Sequence, residues 1–211
     1  MDKVRIFCEG ISDQRFLRDF IFLNYGIEIS DKELNKNEFI HCLGGWTNLS
    51  NLKTKITDEF GEYFSLIFLD ADDEATVGKR GLDETISYID DLMTSWGWTN
   101  YDKFIFPNNN EKEGEVEDFL EKVINPKNAD IFECWNGFEE CLTKKGKGYN
   151  IPAKKSKIYV YHEVLHGNTD ADKKKCKDPN RNFKDGNLWD LDVENNAYLK
   201  ALKEFLDKYL P

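Results

Sequence analysis

Long apolar runs are missing from this chain. No stretch approaches the roughly 20 apolar residues of a membrane-spanning helix, so no membrane partner is expected. Zinc-site spacing is missing too. The five cysteines (Cys8, Cys42, Cys134, Cys141, Cys176) are scattered, odd in number and without a Cys-x-x-Cys pair. That fits reduced thiols and a cytoplasmic setting. His162 and His166 stand four apart, but no third ligand or HExxH accompanies them, and no zinc centre is expected. Internal repeats and low-complexity linkers are absent as well. Met1-Asp2-Lys3-Val4 runs directly into a strand pattern, which is not how a signal peptide begins.

What is present belongs to a folded globule. The 211 residues are 40% hydrophobic and 14% aromatic, enough to bury a substantial core. The net charge of −11 argues by itself against a nucleic-acid binder, but its distribution is uneven. Residues 144–184 hold twelve Lys/Arg against Glu163, Asp170, Asp172 and Asp178, a local +8 that leaves −19 on the rest. An acidic body with one basic segment is compatible with steering phosphates toward a metal site, and equally with a solvated lysine-rich loop.

The informative stretch is Phe64-Ser65-Leu66-Ile67-Phe68-Leu69-Asp70-Ala71-Asp72-Asp73-Glu74, an apolar run ending in acids. It reads as a strand buried on both faces. Alternation along an extended strand would point Asp70 and Asp72 the same way. Paired carboxylates repel unless a cation lies between them, and hard oxygen ligands suit Mg²⁺ or Mn²⁺.

Other strands are read at 4–8, 37–43 and 101–106. Helices are read after Ser12 as N-cap, across 48–60, 81–96 and 115–124, and at 131–142. Residues 28–36 and 72–80 read as loops, and 157–165 as strand or helix. Residues 168–187 read as a loop without structure, followed by a closing amphipathic helix. Strands alternating with helices on short links predict an α/β fold with a doubly wound, mainly parallel sheet. A core is expected over 1–125, with a C-terminal elaboration over 126–211 packed on the same domain. Parallel strands put their C-terminal ends on one edge. Glu9 and Asp13, Asp70 and Asp72, and the cluster Glu113, Glu115, Glu117 and Asp118 can therefore meet. Plainer readings exist: Asp13 as a first-turn helix acid, Glu117 and Asp118 as a solvated helix face, Asp73 and Glu74 as loop acids.

Cys8-Glu9-Gly10-Ile11-Ser12-Asp13-Gln14-Arg15-Phe16-Leu17 resembles the first motif of the Toprim domain, a strand ending in Glu-Gly. Leu69-Asp70-Ala71-Asp72 resembles its Asp-x-Asp motif. Gly114-Glu115-Val116-Glu117-Asp118-Phe119-Leu120 resembles the Gly-x-x-Glu-Asp-x-Leu stretch of stand-alone and OLD-type Toprim proteins. The resemblance covers about residues 3–125 and implies the Mg²⁺-dependent fold of topoisomerases, bacterial primases and OLD nucleases. It implies a core metal site of Glu9, Asp70 and Asp72, with Asp13 and Glu117 helping to bind a second ion. Glu9 would also serve in proton transfer. A catalytic lysine is expected after the acids, and Lys157 is the candidate. No topoisomerase nucleophile, primase zinc module or ATPase domain accompanies these motifs. The expectation is a Mg²⁺-dependent nuclease acting on DNA or RNA, or else a non-catalytic metal- and nucleic-acid-binding module that partners a separate ATPase.

Overall fold

The computed structural model describes residues 3–73, 78 and 80–211; Glu74 and much of the 72–80 loop read from the sequence lie outside them. Four strands, β1 (Lys3–Cys8), β2 (Ile40–Cys42), β3 (Tyr63–Asp70) and β4 (Tyr101–Phe106), form one sheet in the order β2-β1-β3-β4. Every pairing is parallel. The protein is an α/β fold with an all-parallel sheet flanked by helices.

Side-chain alternation divides the core into two layers. Ile6, Cys8, Leu66, Phe68, Phe104 and Phe106 face one way. They pack on α1 (Ile11–Tyr25), α4 (Val116–Glu121) and α8 (Ala197–Leu206) through Phe16, Phe119 and Phe205. Phe7, Ile67, Leu69 and Ile105 face the other way, against Ile89 and Met93 of α3 (Gly81–Trp96). Both faces of β3 are therefore covered, which is why its sequence is continuously apolar rather than alternating.

The C-terminal extension joins the first layer. Phe205 of α8 stands edge-on to Phe68, with ring centroids 5.6 Å apart. Helices α5 (Ala129–Lys144), α6 (Lys154–His166) and α7 (Asp170–Lys175) lie between. The ambiguous run at 157–165 is thus helical. The segment expected to lack structure, 168–187, is in fact anchored: it contains α7, and Arg181 and Phe183 are each 1% exposed. Its order comes from non-local contacts that sequence periodicity does not carry. The Phe183 amide donates to Asp19 Oδ2 at 2.8 Å, and Arg181 Nη1 donates to the Ser12 hydroxyl at 3.1 Å. The Phe183 ring packs edge-on against Phe16 at 5.4 Å.

Three further expectations are corrected. Ser12 does not cap α1. Gly10 is the N-cap, and the Asp13 carboxylate accepts from the Gly10 amide at 2.8 Å. Residues 28–36 contain a short helix, α2 (Asp31–Asn35), closed by a Ser30/Glu33 capping box. The single helix read across 48–60 is a 3₁₀ turn (Trp46–Leu52) followed by a π turn (Lys55–Glu59). Short polar side chains compete there for backbone carbonyls: Ser50 Oγ donates to Thr47 O and Thr57 Oγ1 to Lys53 O. Among the described residues, no helix is long and apolar enough to cross a membrane.

Phe183 tests whether the extension belongs to the core. Phe183→Ala is expected to lower unfolding free energy by about 3–5 kcal/mol in urea denaturation. A loss below about 1 kcal/mol would mean that the segment docks only loosely.

Candidate functional site

The order β2-β1-β3-β4 reverses direction between β1 and β3. At such a switch point the connections leave toward opposite faces and a crevice opens beyond the carboxyl ends of the two strands. Glu9 follows β1, and Asp70 ends β3. The Asp70 amide lies 3.5 Å from Glu9 Oε2.

A second device brings in the acids of α4. The backbone of Asp72 pairs with that of Gly114 in both directions, at 2.8 and 2.9 Å. The Asp70 carboxylate accepts from the Val116 amide at 2.8 Å. The turn before α4 is thus stitched to the end of β3. Gly114 sits at φ 140°, and a Cβ there would stand 2.8 Å from Pro107 Cδ, so the close approach needs glycine. Asp72 itself has φ 62°. The strand alternation expected to align Asp70 with Asp72 stops at Asp70, and Asp72 is oriented by its pairing with Gly114 instead.

The result is a concentrated negative field. Burial first, then the charges of Asp13, Glu9, Glu117 and Glu115, hold the Asp70 carboxyl well above the ordinary carboxylate range. Burial also raises Asp13, against the opposing pull of the Gly10 amide and Lys155. Glu117 is 7% exposed. Burial, with Asp13 next, pushes its pKa up to about 7, and Lys155 counters. Asp70 therefore stands in the combined field of Glu9, Asp13, Glu115 and Glu117, and Asp13 and Glu115 also act on Glu117. Glu113 is exposed.

The basic residues do not fall as expected. Lys157 Nζ donates to Glu121 Oε2 at 2.9 Å and Asn136 Oδ1 at 3.0 Å, over the Phe132 ring and away from the acids. Lys155, two residues earlier, faces Asp13 and Glu117 and pairs with Asp178. Lys154 bonds Asp118 at 2.7 Å. On a helix, positions two apart lie on different faces, so choosing among these lysines requires knowing that 157–165 is helical. His162 is buried and its pKa is lowered to about 3, chiefly by burial and then by Arg181. It is neutral at ordinary pH.

Among the described residues no three His, Cys, Asp or Glu side chains form a ready-made metal cage. Mg²⁺ needs no such cage: it keeps several waters and takes one or two carboxylates plus substrate phosphate oxygens. The donors here are carboxylate oxygens, the ligand type that Mg²⁺ and Mn²⁺ take, and an ion among them would have to displace the protons that burial and mutual repulsion now favour.

Fold and site together describe a parallel α/β protein with an acidic centre at its topological switch point. Residues 3–209 match the family described as Protein of unknown function (DUF3226), and the chain belongs to it. No curated protein matches the chain, and no solved structure does.

The raised Glu117 carboxyl has a consequence for stability. Its proton is held more tightly in the folded chain than at the ordinary 4.5. Its stabilising contribution is thus full below pH 4.5 and is lost as pH rises toward 7, by up to about 3 kcal/mol. Without added metal, Glu117→Gln should gain on the native chain by up to that amount between pH 4.5 and 7.5, read from urea midpoints. Parallel pH profiles would contradict the assignment.

Proposed function

We propose that this protein is a Toprim-like, Mg²⁺-dependent enzyme that cleaves phosphodiester bonds in DNA or RNA. The observation that carries the reading is the meeting of Glu9, Asp13, Asp70, Glu115 and Glu117 in one field at the switch point. The likeness of residues 8–17, 69–72 and 114–120 to Toprim motifs supports it, as does the position of Lys155 beside the acids.

Glu9, Asp70 and Asp72 would hold the first ion, with Asp13 and Glu117 contributing to a second. Divalent ions so held would activate a water and stabilise the leaving oxygen. The chain's own residues do the rest. Val116 fixes the Asp70 carboxylate through its amide. The Toprim resemblance gives the proton-transfer role to Glu9. Lys155 offers a charge to a non-bridging phosphate oxygen.

The net charge of −11 favours one second reading. In it the protein binds metal and nucleic acid without turnover, as a subunit for a separate ATPase. Turnover separates the two.

Calorimetry with Mg²⁺ and Mn²⁺ is expected to give binding that Asp70→Asn/Asp72→Asn weakens by more than about 100-fold, because even outer-shell changes cost about 10–100-fold. Cleavage of single- or double-stranded substrates should disappear in the same variant. Cleavage that survives in it refutes the proposed site. Metal and oligonucleotide binding with no turnover supports the second reading.

A further inference from the structure

The N-terminus of α1 borders a cleft of about 570 Å³, lined among others by Ile11, Tyr159, Val160 and Pro179, with Lys155 and Lys177 also on its wall. Its place is significant. Ile11 follows Glu9 and Gly10 directly, and Lys155 is the cation felt by Asp13 and Glu117. The cleft therefore adjoins the acidic centre on the α6 side.

Its chemistry is selective. A mainly apolar wall with one aromatic ring offers nothing to a regular duplex, whose bases are already stacked and whose outer surface is phosphate. An unstacked base finds an apolar slot and a ring face, while the flanking phosphates find lysines. The charge balance agrees. Asp178 is the acid on the wall, and it is turned to Arg181 at 2.8 Å and to Lys155. Lys177 is exposed and makes no ion pair among the described residues.

We propose that this cleft receives one base of a single-stranded nucleic acid, stacked on Tyr159 with its phosphates on Lys155 and Lys177, and so delivers the adjoining phosphate to the acids. The proposal rests on the phosphodiesterase reading and narrows it to single-stranded substrates.

The test is fluorescence anisotropy with a labelled single-stranded 12-mer and the matching duplex, with Ca²⁺ replacing Mg²⁺ to hold off cleavage. The native chain should bind the single strand at least about 10-fold more tightly than the duplex. Base–aromatic stacking implies that Tyr159→Ala loses about 10-fold or more of single-strand affinity. Tyr159→Phe, which keeps the ring, should bind as the native chain does. Lys177→Ala should weaken binding and flatten its salt dependence. Tyr159 is only partly buried, so circular dichroism should report an intact fold in each variant. A Tyr159→Ala chain that binds single strands normally, or a native preference for duplex, overturns the cleft assignment and leaves the nuclease reading standing. Failure to bind either oligonucleotide brings down both.

Discussion

Asp70 accepts a hydrogen bond from the Val116 amide, and the arrangement of the acidic edge depends on that contact and the backbone pair beneath it. β3 ends at Asp70. The Asp72–Gly114 pairing then draws the turn before α4 back to the same place. Without it, Glu115 and Glu117 would have no reason to approach Glu9 and Asp13, since each carboxylate added to the group raises its energy. Covalent continuity and backbone hydrogen bonds hold together what electrostatics would separate. The pairing has a narrow steric requirement, because Gly114 lies against Pro107.

The opposing charge comes from the other end of the sequence. Lys154 reaches Asp118, and Lys155 influences both Asp13 and Glu117. Arg181 is buried against Ser12, one residue from Asp13. An arginine is almost never buried without partners; this one has Ser12, the Cys176 carbonyl and Asp178. The Phe183 amide bond to Asp19 secures the same segment to α1. The C-terminal extension is thus part of the candidate site as well as of the core. It sets Lys154 and Lys155 beside the acids of an otherwise acidic protein.

Much of this was legible in residue pattern. The covered face pairs of β3 follow from a continuous apolar run, and the limits of α3 and β4 follow from periodicity and from Gly97 and Pro107. The approach of Glu9 to Asp70 follows from strand direction, because parallel strands share an edge; Glu117 is drawn in by the Asp72–Gly114 pairing, which residue pattern does not announce. Several misreadings depend on partners distant in sequence. Asp72 takes its left-handed conformation from Gly114, 42 residues on. Ser12 looks like a cap until Arg181 is seen to occupy its hydroxyl. Phe183 is one apolar residue in a polar, lysine-rich stretch, and no period marks it as core. Lys155 and Lys157 cannot be told apart until the surrounding run is known to be helical.

Iron-directed cleavage of the chain tests the central claim, a divalent-ion site at the switch point, most directly. Fe²⁺ substituted for Mg²⁺, with ascorbate and peroxide, generates radicals that cut the backbone beside the bound ion. Cuts are expected only in the neighbourhoods of residues 9–13, 70–72 and 114–117, suppressed by excess Mg²⁺ and absent in Asp70→Asn/Asp72→Asn. Cleavage elsewhere, or cuts that excess Mg²⁺ fails to suppress, would contradict it.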